Sequence, residues 1–318
     1  MIYCQLVNAE NIINIMIEKG ILVTGSHRSG STWVGQMIAL SPSVAYIHEP
    51  FNIIYNRPGI CSASFKHWFT YICEENENLY YEALKDTLEF KYKILKELAV
   101  IKAPKDIVRL FRACILFTMY KLSNKRPLMK DPIAIFSAEW LAKRFNMDVI
   151  ILIRHPAAFA GSLKKANWTF QFSNFIEQPL LMQHHLSDFR HQIEEFAKKE
   201  KDIIDQAILL WNVIHYMILK YKKRNPDWNY VKHETISKNP MVEFGKLYDK
   251  LNLTYSKDIH DKIKEYSILK NKNFEDKIKR DSKSNIWSWK KRLTEDEIER
   301  IKDKTYDIAK NFYSEEDW

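Results

Sequence analysis

Gly25, Gly30, Ser31 and Thr32 stand at the spacing of a phosphate-cradling loop. The general pattern, G-x-x-x-x-G-K-[ST], uses its lysine to reach the β- and γ-phosphates of a nucleoside triphosphate. Here that place is Ser31, and a cation stands inside the loop instead, at Arg28. The planar guanidinium of an arginine can hold an oxyanion through two parallel hydrogen bonds. The free backbone amides of Ser29, Gly30, Ser31 and Thr32 would cradle a phosphate at a helix start, and the Ser31 and Thr32 hydroxyls add donors. These residues ask for an anionic ligand. They lack the lysine that triphosphate chemistry uses.

The surrounding residues build the elements that hold this loop. Ile21, Leu22 and Val23, bounded by Gly20 and Gly25, read as a buried strand. Trp33, Val34, Met37, Ile38 and Leu40 follow at helical spacing. A second strand over 43–47 delivers His48-Glu49-Pro50, and the proline predicts an extended Glu49. Residues 126–131 read as a strand bearing Lys130, 132–144 as a helix, and 148–153 as a strand whose unbroken apolar run suits a parallel sheet buried on both faces. That strand ends at Arg154, with Ser162 eight residues further on. Strand tips of parallel α/β sheets are where ligands bind. Strands alternate with helices throughout, so the expected fold is α/β: one domain with a P-loop-like central parallel sheet flanked by helices.

Two stretches carry a family resemblance. HRSGSTWVGQMIALSPSVAYIHEP resembles the 5′-phosphosulfate loop of sulfotransferases that use 3′-phosphoadenosine 5′-phosphosulfate (PAPS), in the style of the carbohydrate and tyrosylprotein enzymes. DVIILIRHPAAFAGSL resembles the 3′-phosphate motif of the same family, and LMKDPIAIFSAEWLAKRF its lysine-bearing strand and following helix. The resemblance implies a PAPS-binding core at about 20–50 and 127–163, with acceptor-side insertions at about 52–125 and 164–200. It implies that His27, Arg28, Ser29, Gly30, Ser31, Thr32 and Trp33 meet the cosubstrate at its 5′ end, and Arg154 and Ser162 at its 3′-phosphate. It implies Glu49 as general base, with Arg28 and Lys130 stabilising the sulfuryl group. His48 is the rival base, and a plain ion pair between Glu49 and Arg28 is the structural alternative. Trp33 is either core or an adenine contact. Ser282 or Ser284 would touch the sulfate, and Trp287, Trp289 and Lys290 would close over the nucleotide. His233 occupies the place of a family tyrosine.

The acceptor implied is a hydroxyl on a saccharide, lipid-linked glycan, peptide or small molecule. No metal is expected, because there is no polyphosphate to bridge; His184, His185 and His191 read as surface or acceptor contacts, and the four cysteines lack metal-type pairing. A P-loop kinase would need a lysine at 31 and an aspartate at 154, while a non-catalytic nucleotide binder would tolerate the loss of Glu49, Arg28 and Lys130.

Composition agrees. The 318 residues carry 46% hydrophobic and 28% charged side chains and a net charge of +9, which suits an anionic cosubstrate. The lysines are scattered among acids on helical stretches, which argues against nucleic acid as a partner. No apolar run reaches the roughly 18 residues of a membrane span. Few cysteines and no signal-type start give the expectation of a reduced, cytoplasmic enzyme. A helical stripe is expected within 1–19, helix over 67–123, strand over 228–236 and a closing helix capped by Thr294 with Glu297.

Overall fold

The computed structural model describes residues 19–55, 57–268 and 286–318, so the stripe within 1–19 and the serines at 282 and 284 lie outside the described residues. Five strands, β1 (Gly20–Gly25), β2 (Val44–His48), β3 (Arg126–Lys130), β4 (Met147–Ile153) and β5 (Asn229–Lys232), form one parallel sheet in the order β2-β3-β1-β4-β5. The chain runs from β1 out to β2, returns to β3, then crosses β1 to reach β4 and β5. The tip of β1 is therefore the switch point where open parallel sheets take ligands.

Both sheet faces are covered. Leu22, Met129, Val149 and Ile151 belong to one core, and Ile21, Val23, Leu128, Ile150 and Leu152 to the other. This is why the strands show no apolar–polar alternation. Helix α1 (Ser31–Ile38) helps close the second face, and α2 (Pro104–Leu122), α3 (Pro156–Ala166), α4 (Ile203–Arg224) and α5 (Glu295–Ala309) are among the longer helices of the fold. Helix α4 is capped by the Asp202 carboxylate, which accepts from the Ile204 amide at 2.9 Å. It is long and apolar enough to match a membrane span by composition, yet most of it is buried inside the protein against α3 and α5. The Thr294–Glu297 capping box opens α5 as the sequence indicates.

Three stretches depart from the sequence reading. Helix begins only at Glu77 within 67–123, because 61–76 is ordered by side-chain bonds such as Asn76 Oδ1 to the Cys73 amide instead of by helical ones. Residues 132–137 form a 3₁₀ turn before helix resumes at Ala138, since the buried Asp131 carboxylate caps Ile133 N–H at 3.1 Å. The expected strand at 228–236 stops at Lys232, and a short helix, His233–Lys238, starts at once.

Gly25 ends β1 at φ 136°, and a Cβ there would lie 2.3 Å from the Leu152 carbonyl oxygen of the paired strand. Neither the backbone angle nor that neighbour can yield cheaply. Gly25→Ala is expected to cost about 3 kcal/mol or more, a fall in Tm of roughly 4–5 °C in a chain of this size, read by thermal denaturation.

Candidate active site at the sheet's C-terminal edge

The loop between β1 and α1 offers backbone donors and no competing acid. Gly30, at φ 87°, is the N-cap of α1 and provides no side-chain cap; the first turn holds no acidic residue. The first intrahelical bond runs from Val34 N–H to Gly30 O at 3.0 Å, so the amides of Ser31, Thr32 and Trp33 precede the helical ladder. Helices α4 and α5 have side-chain caps where α1 has none. A bare, uncapped helix start favours negative charge. Within the loop, Ser29 Oγ donates to the Ser26 carbonyl, and the Thr24 and Ser26 hydroxyls are buried with no hydrogen-bond partner among the described residues.

The tip of β4 meets this loop. Arg154 Nη1 donates to the carbonyl of Arg28, and Arg28 Nε donates to Ser162 Oγ at 3.0 Å. Two motifs separated by more than a hundred residues thus share one place. Arg28 has a left-handed backbone, φ 62°, which is uncommon outside glycine. Trp211 Nε1 on α4 bonds the Arg154 carbonyl at 2.9 Å and fixes that strand end. Nothing in the local sequence marks Trp211 for this.

On the other side of β1, the register pairs Lys130 with Val23 and with His48. Paired residues on neighbouring strands point to the same face, so an extended Glu49 would point away from Lys130. The structure resolves this with a kink. Glu49 takes φ 43°, its amide donates to the Lys130 carbonyl at 2.9 Å, and its carboxylate turns back into an ion pair with Lys130 Nζ. The expected extended conformation before Pro50 is therefore replaced by a left-handed one, of a kind that costs on the order of 1–3 kcal/mol and clusters at functional sites. Asn52 Nδ2 holds the second carboxylate oxygen at 2.8 Å, while Asn52 Oδ1 accepts the amides of Ile54 and Tyr55 at 3.0 Å each. A turn-forming asparagine three residues past a glutamate was the available sequence signal for this partner.

Lys130 is fully buried, and its stem passes under α1 at Gly35, where a Cβ would lie 3.1 Å from Lys130 Cγ and 3.0 Å from the Tyr46 ring. Burial pushes the Glu49 carboxyl up, but Lys130 and then the Asn52 hydrogen bond outweigh it, so Glu49 sits below the ordinary carboxylate value and is ionised at neutral pH. Burial draws the Lys130 ammonium down, opposed by Glu49. Next to it, Asp131 is driven up to about 7 by burial, against bonds from the Phe51 and Ile133 amides; it braces the loop after β2 and does not face outward. His48, bonded to Tyr46 Oη at 3.2 Å, lies exposed.

The remaining expected contacts fall in varied places. Ser31 is buried and Thr32 exposed at the loop. Trp33 packs edge-on against Phe244 at 5.2 Å in the core. The His27 ring lies among Phe69, Phe159 and Trp168 at 5.7, 5.0 and 4.8 Å, and burial, reinforced by Arg28, lowers it to about 3. Trp289 is buried in a stack on His155, whereas Trp287 is exposed with Lys290 over its ring at 4.8 Å. His233 sits against Gly30, its Nδ1 2.7 Å from where a Cβ would be. His185 is buried and shares the Tyr71 hydroxyl with His184. Together with Cys73 and Glu75, His184 brings possible ligand atoms within 4.8 Å of one another. That group lies by a cavity of about 540 Å³ lined by Met147 and Trp228, at the opposite edge of the sheet from the loop.

Solved structures that resemble the fold include three sulfotransferases. The sulfotransferase domain of the curacin biosynthetic pathway is 16% identical, with 91% of this chain and 98% of that one covered at a TM-score of 0.48. The sulfotransferase domain of a Synechococcus olefin synthase is 15% identical, with 93% and 96% covered and a TM-score of 0.47. A Mycobacterium avium sulfotransferase is 11% identical, with 94% and 78% covered and a TM-score of 0.45. No curated protein matches the chain. Residues 20–257, three quarters of the chain and every element that carries the loop, the two arginines and the Glu49–Lys130 pair, match the Sulfotransferase family, and the chain belongs to that family.

Proposed function

We propose that the protein transfers a sulfuryl group from PAPS to a hydroxyl, with Glu49 as the base. The observation that carries this reading is the meeting of Arg154, Arg28 and Ser162 beside the uncapped start of α1, since it sets two phosphate-holding groups one nucleotide apart in role and adjacent in space. The amides of Gly30, Ser31 and Thr32 hold the 5′-phosphate, the Ser29 amide being turned inward onto the Ser26 carbonyl at 3.3 Å, and Arg154 and Ser162 hold the 3′-phosphate. Arg28, whose guanidinium rests on Ser162, serves the nucleotide phosphates in this reading and leaves the sulfuryl group to Lys130. Thr24 and Ser26, with unpartnered buried hydroxyls below the loop, fit the same polar, anion-seeking surface.

Bound PAPS supplies the activated sulfuryl group; the chain supplies position and charge. Glu49 accepts the acceptor's proton as the new S–O bond forms and the bond to the 5′-phosphate breaks, leaving adenosine 3′,5′-bisphosphate. Protonation of Glu49 removes the negative partner of Lys130, whose ammonium is then available to the departing phosphate oxygen. Charge on the base and charge on the leaving group are thereby coupled through one lysine. Residues 52–125 and 164–200, which meet at the His27 ring through Phe69 and Trp168, form the acceptor side in this reading.

Calorimetric titration tests the donor. Adenosine 3′,5′-bisphosphate is expected to bind, and ATP with magnesium to bind far more weakly. Arg154→Ala is expected to weaken adenosine 3′,5′-bisphosphate by roughly 10- to 100-fold, the worth of a charge-assisted hydrogen bond, and to leave adenosine 5′-monophosphate nearly unaffected. Equal losses for both nucleotides would contradict the 3′-phosphate assignment.

A further inference from the structure

Helix α2 is apolar on two faces, and only one is used. Leu110, Ala113 and Phe117 are buried against the protein. Val108, Phe111, Ile115, Met119 and Leu122, spaced three and four apart on another side, are 53, 60, 60, 58 and 82% exposed. The preceding helix, Ile94–Leu98, packs on α2 and adds Leu95, exposed to 81%. Scattered exposed apolar residues need no explanation, but a continuous stripe this long marks an interaction surface.

Charge identifies the partner. Residues 94–125 carry seven lysines and arginines (Lys96, Lys102, Lys105, Arg109, Arg112, Lys121 and Lys125) against two acids, Glu97 and Asp106, which makes +5 of the chain's +9 in a tenth of its length. Both acids are engaged: Glu97 is buried on Arg57 and the Gly59 amide, and Asp106 caps α2 and lies 3.4 Å from Arg109. A second copy seated here on a two-fold axis would bring this same positive field against itself. An apolar stripe flanked by cations is instead the composition of a helix lying in a bilayer interface, drawn by anionic headgroups.

We propose that α2 and the helix before it dock the protein on an anionic membrane surface, peripherally and without spanning it. Flotation of the 318-residue protein with vesicles of phosphatidylcholine, with and without phosphatidylglycerol, tests this. The wild type is expected to float with the anionic vesicles and to stay largely soluble with the neutral ones. Phe111→Glu/Ile115→Glu/Met119→Glu, all at exposed sites, is expected to abolish flotation while keeping the wild-type Tm. Arg109→Gln/Arg112→Gln is expected to weaken binding by about fivefold per cation lost, independently of whether the first variant folds. Failure of the wild type to float with anionic vesicles at low salt overturns the proposal, as does flotation that neither variant reduces. A dimer in light scattering that the triple variant dissolves, with no flotation, assigns the face to a second copy and also overturns it.

Discussion

Glu49→Gln is expected to bind adenosine 3′,5′-bisphosphate like the wild type and to transfer sulfate roughly 10²- to 10⁴-fold more slowly, the usual contribution of a positioned general base. The amide keeps the shape of the carboxylate and its one oxygen can still accept from Lys130, at the cost of the Asn52 hydrogen bond, while the backbone bond from residue 49 N–H to the Lys130 carbonyl continues to hold the kink. What is lost is the capacity to take a proton. Mass spectrometry of a hydroxyl acceptor with the donor, wild type against variant, provides the measurement. If the variant turns over within a few-fold of the wild type, Glu49 is an ion-pair partner and the base lies elsewhere, with His48 the next residue to replace. The wild-type rate should fall as the pH drops through the Glu49 value, which lies below the ordinary carboxylate range because Lys130 and Asn52 outweigh burial.

Lys130→Met is expected to have the second large effect, a 10²- to 10³-fold loss in transfer of the size seen when one transition-state donor is removed. It also changes the pH profile in a direction that a purely structural lysine would not. With the ammonium gone, burial becomes the dominant influence on Glu49, so the carboxyl rises and the acidic limb of the rate profile moves to higher pH. Stability follows the same sign. In the wild type the depressed Glu49 value stabilises the fold above its unfolded value, and that contribution is lost as pH falls through the folded value; in the variant, where burial dominates, the sign reverses and stability is lost as pH rises. An unchanged acidic limb in Lys130→Met would separate the two residues. Because methionine fills the buried channel beneath Gly35 with a similar stem, gross unfolding is not the expected cause of the loss.

The sequence was readable where backbone geometry and residue type coincide. A glycine-bounded apolar run, a glycine-serine loop and a helical stripe specify β1, the loop after it and α1 with little help from the rest of the chain. The unbroken apolar run of β4 announced a doubly covered strand, and so the position of Arg154. What could not be read was the side-chain geometry that arises only when strands are set in register. The Glu49 kink is one case: Pro50 argued for an extended residue, and only the pairing of His48 with Lys130 shows that an extended Glu49 would point away from the lysine it meets. Arg28 is another, since its grip on Ser162 depends on β4 lying next to β1. Trp33 and His27 went into the interior because long-range neighbours, Phe244 for one and Phe69, Phe159 and Trp168 for the other, were invisible in the local pattern. The short strand at β5 shows local propensity yielding to the helix that brings His233 up to Gly30.

The placement of His27 has a consequence for how such an enzyme diversifies. Its ring is wedged against one aromatic from each of the segments 52–125 and 164–200 and one from α3, and it lies in the five-residue loop, 26–30, between β1 and α1. Remodelling either segment therefore tugs on this loop through a rigid imidazole. On the function proposed above, chimeras that trade these segments between relatives are expected to show altered nucleotide affinity, unless residue 27 and its three neighbours travel as a unit.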